Sequence, residues 1–251
     1  MPLSPAEWHQ RFGLQAQWTR DLRHYLYKRI EIQSITKILE IGCGTGALLT
    51  ELPSEGHANT YGLDINPDFL ELASRNAQEA SLACGDAHGL PYAEDSFDVT
   101  VCHFLLLWVD QPASVLREMA RVTRPGGVLA ALAEPDYGGR IDHPPELAQL
   151  GRLQTSALRD QGADPEIGRK LRGLFTEIGL IGIETGVLGS QWLDVPTQEY
   201  RESEWAVLNS DLESYLPAGE IEAFRQLDSL AWARGDRVLF VPTFYAWGRI
   251  P

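Results

Sequence analysis

The stretch Glu40-Ile-Gly42-Cys-Gly44-Thr-Gly46-Ala47 brings three glycines and one carboxylate together. Glycines at alternate positions after an apolar run permit a tight turn and let a ligand approach the backbone. Asp64 follows Gly42 by 22 residues and closes the next apolar run. An acid at about that distance accepts the ribose hydroxyls of nucleotides bound by such turns. Together these residues point to an adenosine ligand. The loop also fits the GxGxx(G/A) pattern of dinucleotide sites, so NAD stays open as an alternative. A carboxylate two residues before the first glycine repels a pyrophosphate and favours a sulfonium or an amino group. No lysine or arginine within residues 40–50 offsets Glu40, and no GK(S/T) is present, which excludes a P-loop.

Three further segments occur in order. Cys84-Gly-Asp-Ala87 is a short acidic loop, and Leu90-Pro-Tyr-Ala-Glu-Asp-Ser-Phe-Asp-Val99 leads into an apolar run. Arg117-Glu-Met-Ala-Arg-Val-Thr-Arg-Pro-Gly-Gly127 leads into another. With Ile38-Leu-Glu-Ile-Gly-Cys-Gly-Thr-Gly46, the series resembles the class I S-adenosylmethionine-dependent methyltransferases, most closely the small-molecule branch related to the ubiquinone/menaquinone methyltransferases. Thr123 stands where that family usually has Leu. The resemblance covers residues 37–133 and is loose beyond them.

It implies S-adenosyl-L-methionine as methyl donor, with S-adenosyl-L-homocysteine as product. Glu40, Gly42, Gly44 and Gly46 would cradle the methionine part, with backbone contacts from Cys43 and Thr45. Asp64 would take the ribose hydroxyls and Ile65 would pack on adenine. Asp86 and Ala87 would read the adenine edge, and His103 and Phe104 would border the sulfonium. The reaction would be in-line transfer of a methyl group to a small-molecule acceptor at an O, C or N atom. An NAD(P)-dependent oxidoreductase and a non-catalytic S-adenosylmethionine-binding protein are the rival readings. A donor already activated leaves the protein to align, to desolvate and, where needed, to remove a proton. His103 and Tyr137 are the candidate bases, together with the acids of Glu134-Pro-Asp-Tyr137; Arg140 and His143 are candidates for an anionic acceptor. The plain readings stand beside these. Gly46 would serve close helix packing, Asp98 would be a structural acid, and Cys43, Cys84 and Cys102 would be packing residues. His57 and His88 would be solvated loop residues. No Cys/His cluster has metal-ligand spacing, so no metal is expected.

These residues need a scaffold. Apolar runs at 37–41, 59–64, 81–84, 97–104, 128–133, 181–188 and 237–248 read as strands, and helices are expected at 14–30, 46–52, from Asn66, from Pro112, at 147–158 and from Asp164 to Gly179. The alternation predicts an α/β fold: a Rossmann-like, doubly wound, mostly parallel seven-stranded sheet with an antiparallel last strand and helical lid insertions. Pro242 within the last run favours an edge or a bulge. Residues 1–36 read as an N-terminal helical lid, with Trp18 a candidate to close over the donor. Residues 37–251 read as the methyltransferase domain, with cap insertions near 134–163 and 196–234. The Trp-rich segments 8–18 and 192–205 suggest an apolar lid. Trp205, Leu208 and Leu212, at helical spacing, read as core of the cap.

Composition narrows the partners. With 21 basic and 35 acidic residues, the net charge of −14 tilts against nucleic acid and anionic membranes. The (N/D)PP(Y/F) tetrapeptide of base-modifying amino methyltransferases is absent after the fourth strand, where Cys102-His-Phe-Leu stands. No apolar run is long enough to span a bilayer, and no secretion signal is visible at the first residues. With an odd cysteine count and no CxxC, a reduced cytoplasmic setting with buried thiols is expected. Oligomeric state is left open.

Overall fold

The computed structural model describes residues 4–32, 35–52, 59–187 and 196–251. His57 and Trp192 lie outside the described residues. Strands β1 (Lys37–Ile41), β2 (Asn59–Asp64), β3 (Ser81–Cys84), β4 (Phe97–Cys102), β5 (Thr123–Pro135), β7 (Ile181–Val187) and β9 (Thr243–Arg249) form one sheet in the order β3-β2-β1-β4-β5-β9-β7. The last strand, β9, runs antiparallel to both its neighbours, and every other pairing is parallel. This is the expected doubly wound sheet. The final apolar run is divided at Pro242, which has no N–H for the ladder. Its first part, β8 (Val238–Phe240), pairs instead with β6 (Ile141–His143) in a separate two-stranded sheet. Residues Arg124–Gly127 are a bulge within β5, whose expected run began only at 128: Phe97 faces Thr123, but Val99 faces Val128.

Alternation along the strands separates two apolar layers. Ile38, Val99, Val101, Val128 and Ala130 face one side, covered by Leu22, Leu26 and Tyr27 of helix α2 (Arg20–Arg29) and by Ile30 just past its end. Leu39, Ile41, Cys102, Leu129 and Ala131 face the other, covered by α4 (Pro112–Val122) and α6 (Leu171–Glu177) through Val115, Leu116, Met119, Leu171 and Phe175. Helix α3 (Pro67–Asn76) begins as its sequence dictates, with Asn66 accepting from the Asp68 N–H at 2.9 Å and Pro67 in the first turn.

The single N-terminal helix expected over 14–30 is two helices. The first, α1 (Pro5–Trp18), starts earlier because Ser4 and Glu7 form a capping box, each side chain serving the other's backbone N–H. It ends at Thr19, where α2 begins. Residues 46–52, expected as a helix, are hydrogen-bonded turns. In place of the helix expected from Asp164, a 3-10 turn over Ile167–Lys170 precedes α6. Helices α5 (Ala148–Asp160), α7 (Gln198–Leu212) and α8 (Ala218–Arg234) pack around their own cluster of Leu150, Trp205, Leu208, Leu212 and Ile221. Cys43 and Cys102 are buried, whereas Cys84, expected to be buried, is exposed on the edge strand β3.

Candidate functional site

In the strand order the chain turns from β1 outward in both directions, and β1 and β4 are neighbours. The loops leaving their carboxyl ends diverge and open the crevice where open α/β sheets hold ligands. Gly42, Gly44 and Gly46 all have positive φ, at 72°, 53° and 82°. The N–H groups of Gly42 and Cys43 both donate to the Leu63 carbonyl, at 2.7 and 3.0 Å, which pins the turn against the end of β2. A Cβ on Gly42 would lie 2.8 Å from Leu105 Cδ1, and one on Gly44 would lie 3.0 Å from the Phe12 ring. The faces that glycine leaves open are therefore bordered by the loop after β4 and by α1. Gly46 differs: its Cβ would meet the Ala73 Cα of α3 at 3.2 Å, so it serves close packing, as its plain reading holds.

Glu40 shares its sheet face with Ile38 and points beneath α2. It is 2 % exposed, and its Oε2 has no hydrogen-bond partner. Burial pushes its pKa up to about 8, against the pull of Arg23 and with a further push from Asp64 and Glu51. A buried carboxyl oxygen with nothing to accept is costly. It fits a donor, best a cation, arriving from the crevice.

Asp64 closes β2. Its Oδ2 accepts the Gly44 N–H at 2.8 Å and its Oδ1 the Asn66 N–H at 2.9 Å. Each oxygen keeps a second acceptor direction for a diol. Beside it Ile65 is 69 % exposed, an apolar side chain left uncovered at the mouth of the crevice. Asp86 is exposed, and its Oδ1 accepts both the backbone N–H and Nδ1 of His88, at 2.9 and 2.8 Å. These bonds lower its pKa, and they tie His88 to the loop instead of leaving it solvated. Ala87 beneath is buried. The Cys43 thiol is buried; its Sγ is 2.9 Å from where a Gly62 Cβ would stand, and burial pushes its pKa up. The Thr45 hydroxyl lies 2.8 Å from His9 Nδ1 on α1.

Past β4, the rings of His103 and Phe104 meet edge to face at 4.6 Å. Phe104 holds φ 51°, and its N–H donates to the Ala133 carbonyl at 2.9 Å. His103 Nε2 is 2.8 Å from Thr19 Oγ1. Burial, with the nearby Arg23 charge, lowers the ring's pKa well below its usual value, so it is neutral. Glu134 is committed elsewhere. Its Oε1 accepts the N–H groups of Leu105 and Leu106, both at 3.0 Å, and its Oε2 that of Leu107 at 3.3 Å. Burial raises its pKa to about 7 against those three bonds. Asp136 is held by Arg169 at 2.5 and 2.7 Å. Arg140, a candidate for an anionic acceptor, is spent on Asp142 at 2.7 Å and on Gln154. His143 lies on β6. Of the Glu134–Tyr137 group only Tyr137 lacks such a commitment; burial pushes its phenol up against the pull of Arg11. Asp98 is structural. Burial would raise its pKa, but hydrogen bonds from Thr36, Arg124 and Lys37 outweigh that and hold it at about 2.

Several residues gave no sequence signal. Arg23, expected between the apolar positions of an amphipathic helix, is fully buried behind Glu40 and paired with Glu51. Arg11 is buried, pairs with Glu204 of α7, and lies 4.7 Å above the Trp18 ring. Trp18 itself faces Tyr200 of the cap at 5.4 Å, so Phe12, not Trp18, is the aromatic on the glycine loop. Only the four-residue spacing of Thr19, Arg23 and Tyr27 marked a polar stripe on α2. No group of three or more His, Cys, Asp or Glu among the described residues is placed to hold a metal ion.

Residues 39–131 match the family model described as a methyltransferase domain. The chain is 35% identical over 123 residues to the methyltransferase GfsG of Streptomyces halstedii, a match covering 47% of this chain and 44% of that protein. It is 34% identical over 104 residues to a demethylmenaquinone methyltransferase of Renibacterium salmoninarum, covering 41% and 44%. The chain thus spans less than half the length of these curated relatives. Among solved structures it resembles the methyltransferase in complex with the Haloferax volcanii Trm112 methyltransferase activator. There the TM-score is 0.63 at 18% identity, over 98% of this chain and 94% of that one.

Proposed function

We propose that this chain, whose residues 39–131 are a methyltransferase domain set in the class I S-adenosylmethionine-dependent fold, transfers a methyl group from S-adenosylmethionine to a small-molecule acceptor. The observation that carries the reading is the unpartnered Oε2 of Glu40, buried under the glycine turn. An α-ammonium satisfies it and stabilises its ionised form, a form that a nearby pyrophosphate would disfavour further. In this reading Glu40 takes the ammonium, while the turn at Gly42, Cys43, Gly44 and Thr45 borders the methionine chain. Gly46 brings α3 close beneath it. The free acceptor directions of Asp64 hold the ribose diol, the uncovered Ile65 packs on adenine, and Asp86 and Ala87 meet its edge. His103 and Phe104 border the sulfonium.

When bound, the sulfonium supplies an activated methyl group. The chain's own part is alignment, exclusion of water and, for an O–H or N–H acceptor, removal of a proton. His103 is the first candidate for that last task and Tyr137 the second. The N-terminal helices α1 and α2 and the cap elements near 134–163 and 196–234 are assigned to enclose the acceptor, and they offer it Tyr137 and the paired rings of Trp18 and Tyr200. A relative named demethylmenaquinone methyltransferase makes demethylmenaquinone the first acceptor to assay.

A melting panel tests the reading. S-adenosylmethionine and S-adenosylhomocysteine are expected to raise the melting temperature, and NADH and NADPH to leave it unchanged. Stabilisation by NADH alone would favour an oxidoreductase. Formation of S-adenosylhomocysteine in the presence of small O-, N- and C-acceptors, demethylmenaquinone included, then separates an enzyme from a non-catalytic binder.

A further inference from the structure

Thr19 stands between α1 and α2, outside the sheet, and is 4 % exposed. Three groups surround its hydroxyl: the Gln15 carbonyl at 3.0 Å, Arg23 Nη1 at 2.5 Å and His103 Nε2 at 2.8 Å. Arg23 can only donate. It cannot turn away, because Nη1 also donates to the Ala16 carbonyl at 2.6 Å and Nε to Glu51 Oε1 at 3.1 Å, with Nη2 on Glu51 Oε2. Arg23 therefore fills one lone pair of Thr19 Oγ1. The hydroxyl has one hydrogen and one lone pair left for two neighbours.

The Gln15 carbonyl can only accept, so it takes the hydrogen. The remaining lone pair is then offered to His103, which must donate from Nε2. The opposite arrangement, in which the hydroxyl donates to an unprotonated Nε2, forfeits the bond to Gln15. In the favoured arrangement Nδ1 carries no proton, and it has no hydrogen-bond partner among the described residues. The edge contact with Phe104 limits rotation of the ring.

We infer that Thr19, backed by Arg23, is a positioning residue that fixes His103 as its Nε2–H tautomer and leaves Nδ1 free to accept a proton. This rests on the methyltransferase reading for its use. As the acceptor heteroatom bonds the methyl carbon and the carbon–sulfur bond breaks, the sulfur leaves as a neutral thioether. The acceptor's proton passes to Nδ1 and from there to solvent. Because Thr19 belongs to the N-terminal helices, the ring is set only while those helices are docked, and the lid completes the site as well as covering it.

Nitrogen-15 long-range correlation spectra of the full chain, with and without S-adenosylhomocysteine, test the inference, with His103→Asn identifying the signal. The wild type is expected to show a proton on Nε2, hydrogen-bonded and protected from exchange. Thr19→Ser should keep that signal. Thr19→Val should shift it upfield or lose it to solvent exchange. A proton on Nδ1 in the wild type, or an Nε2–H signal unmoved in Thr19→Val, overturns the assignment. Should Thr19→Val fail to fold, the wild-type spectrum decides alone. S-adenosylhomocysteine affinity measured on the same samples separates the two failures: loss of binding would strike the methyltransferase reading and leave the tautomer result standing.

Discussion

Glu40 is the residue on which the account turns. It is an acid placed where its neighbours satisfy only part of it, and its pKa of about 8 follows from burial. An incoming ammonium favours the ionised form, so binding drives off the proton that the free protein holds below that pH. Affinity for S-adenosylhomocysteine should therefore rise as pH rises from about 6 towards 8, and calorimetry in buffers of different ionisation enthalpy should register proton release. Glu40→Gln keeps the shape and removes the charge. A charge-assisted hydrogen bond contributes about 1.5–3 kcal/mol, so the variant should bind roughly 10- to 100-fold more weakly and lose the pH dependence. An unchanged Kd in Glu40→Gln would remove the residue from the binding account.

At the scale of elements, the loop after β4 and the helix α1 border the glycine turn. Glu134 holds the first through the N–H groups of Leu105, Leu106 and Leu107. Glu134→Ala orphans those donors and should cost about 1–3 kcal/mol per group left buried, seen as a lower midpoint in urea. A midpoint at the wild-type value would show the loop to be held otherwise. The second element, α1, reaches the glycine turn through Phe12 and the cap through Arg11 and Glu204. Glu204→Ala leaves the Arg11 charge buried and unpaired, which loosens α1. Stopped-flow fluorescence, reading Trp8 and Trp18, should show faster S-adenosylhomocysteine association and dissociation; unaltered rates would argue that α1 does not gate the turn.

The strands were legible because apolar runs bounded by Gly and Pro need no tertiary information. The cofactor loop was legible because a turn of this kind constrains residue type locally. Thr19, Arg23, Arg11 and Glu204 were not legible, since each is defined by a partner far along the chain. An amphipathic pattern assigns an arginine to solvent unless a buried acid elsewhere claims it. The Ser4-x-x-Glu7 spacing of the capping box stands in the sequence, but the helix expected over 14–30 passed over it and so began too late.

Taken as a whole, the molecule carries two buried acids at the carboxyl edge of its sheet, Glu40 and Glu134, with pKa values raised to about 8 and about 7. A group whose pKa is raised on folding stabilises most below its unfolded value near 4.5, and that stabilisation is lost as pH rises through the folded value. Thermal stability of the ligand-free protein should thus fall between pH 5 and 8, and Glu40→Gln should flatten part of the slope. Asp98, held at about 2, acts at the other end: its stabilisation is present above the ordinary aspartate range and is lost only in acid. No helix among the described residues is long and apolar enough to cross a membrane.

Calorimetric titration of the wild type and of Glu40→Gln with S-adenosylhomocysteine and with NADH, at a pH below 8, decides whether the buried Glu40 receives an ammonium. Saturable binding of S-adenosylhomocysteine with proton release is expected in the wild type, weaker binding without proton release in Glu40→Gln, and no heat from NADH. Binding of NADH, or no response of the wild type to S-adenosylhomocysteine, would contradict that role for Glu40.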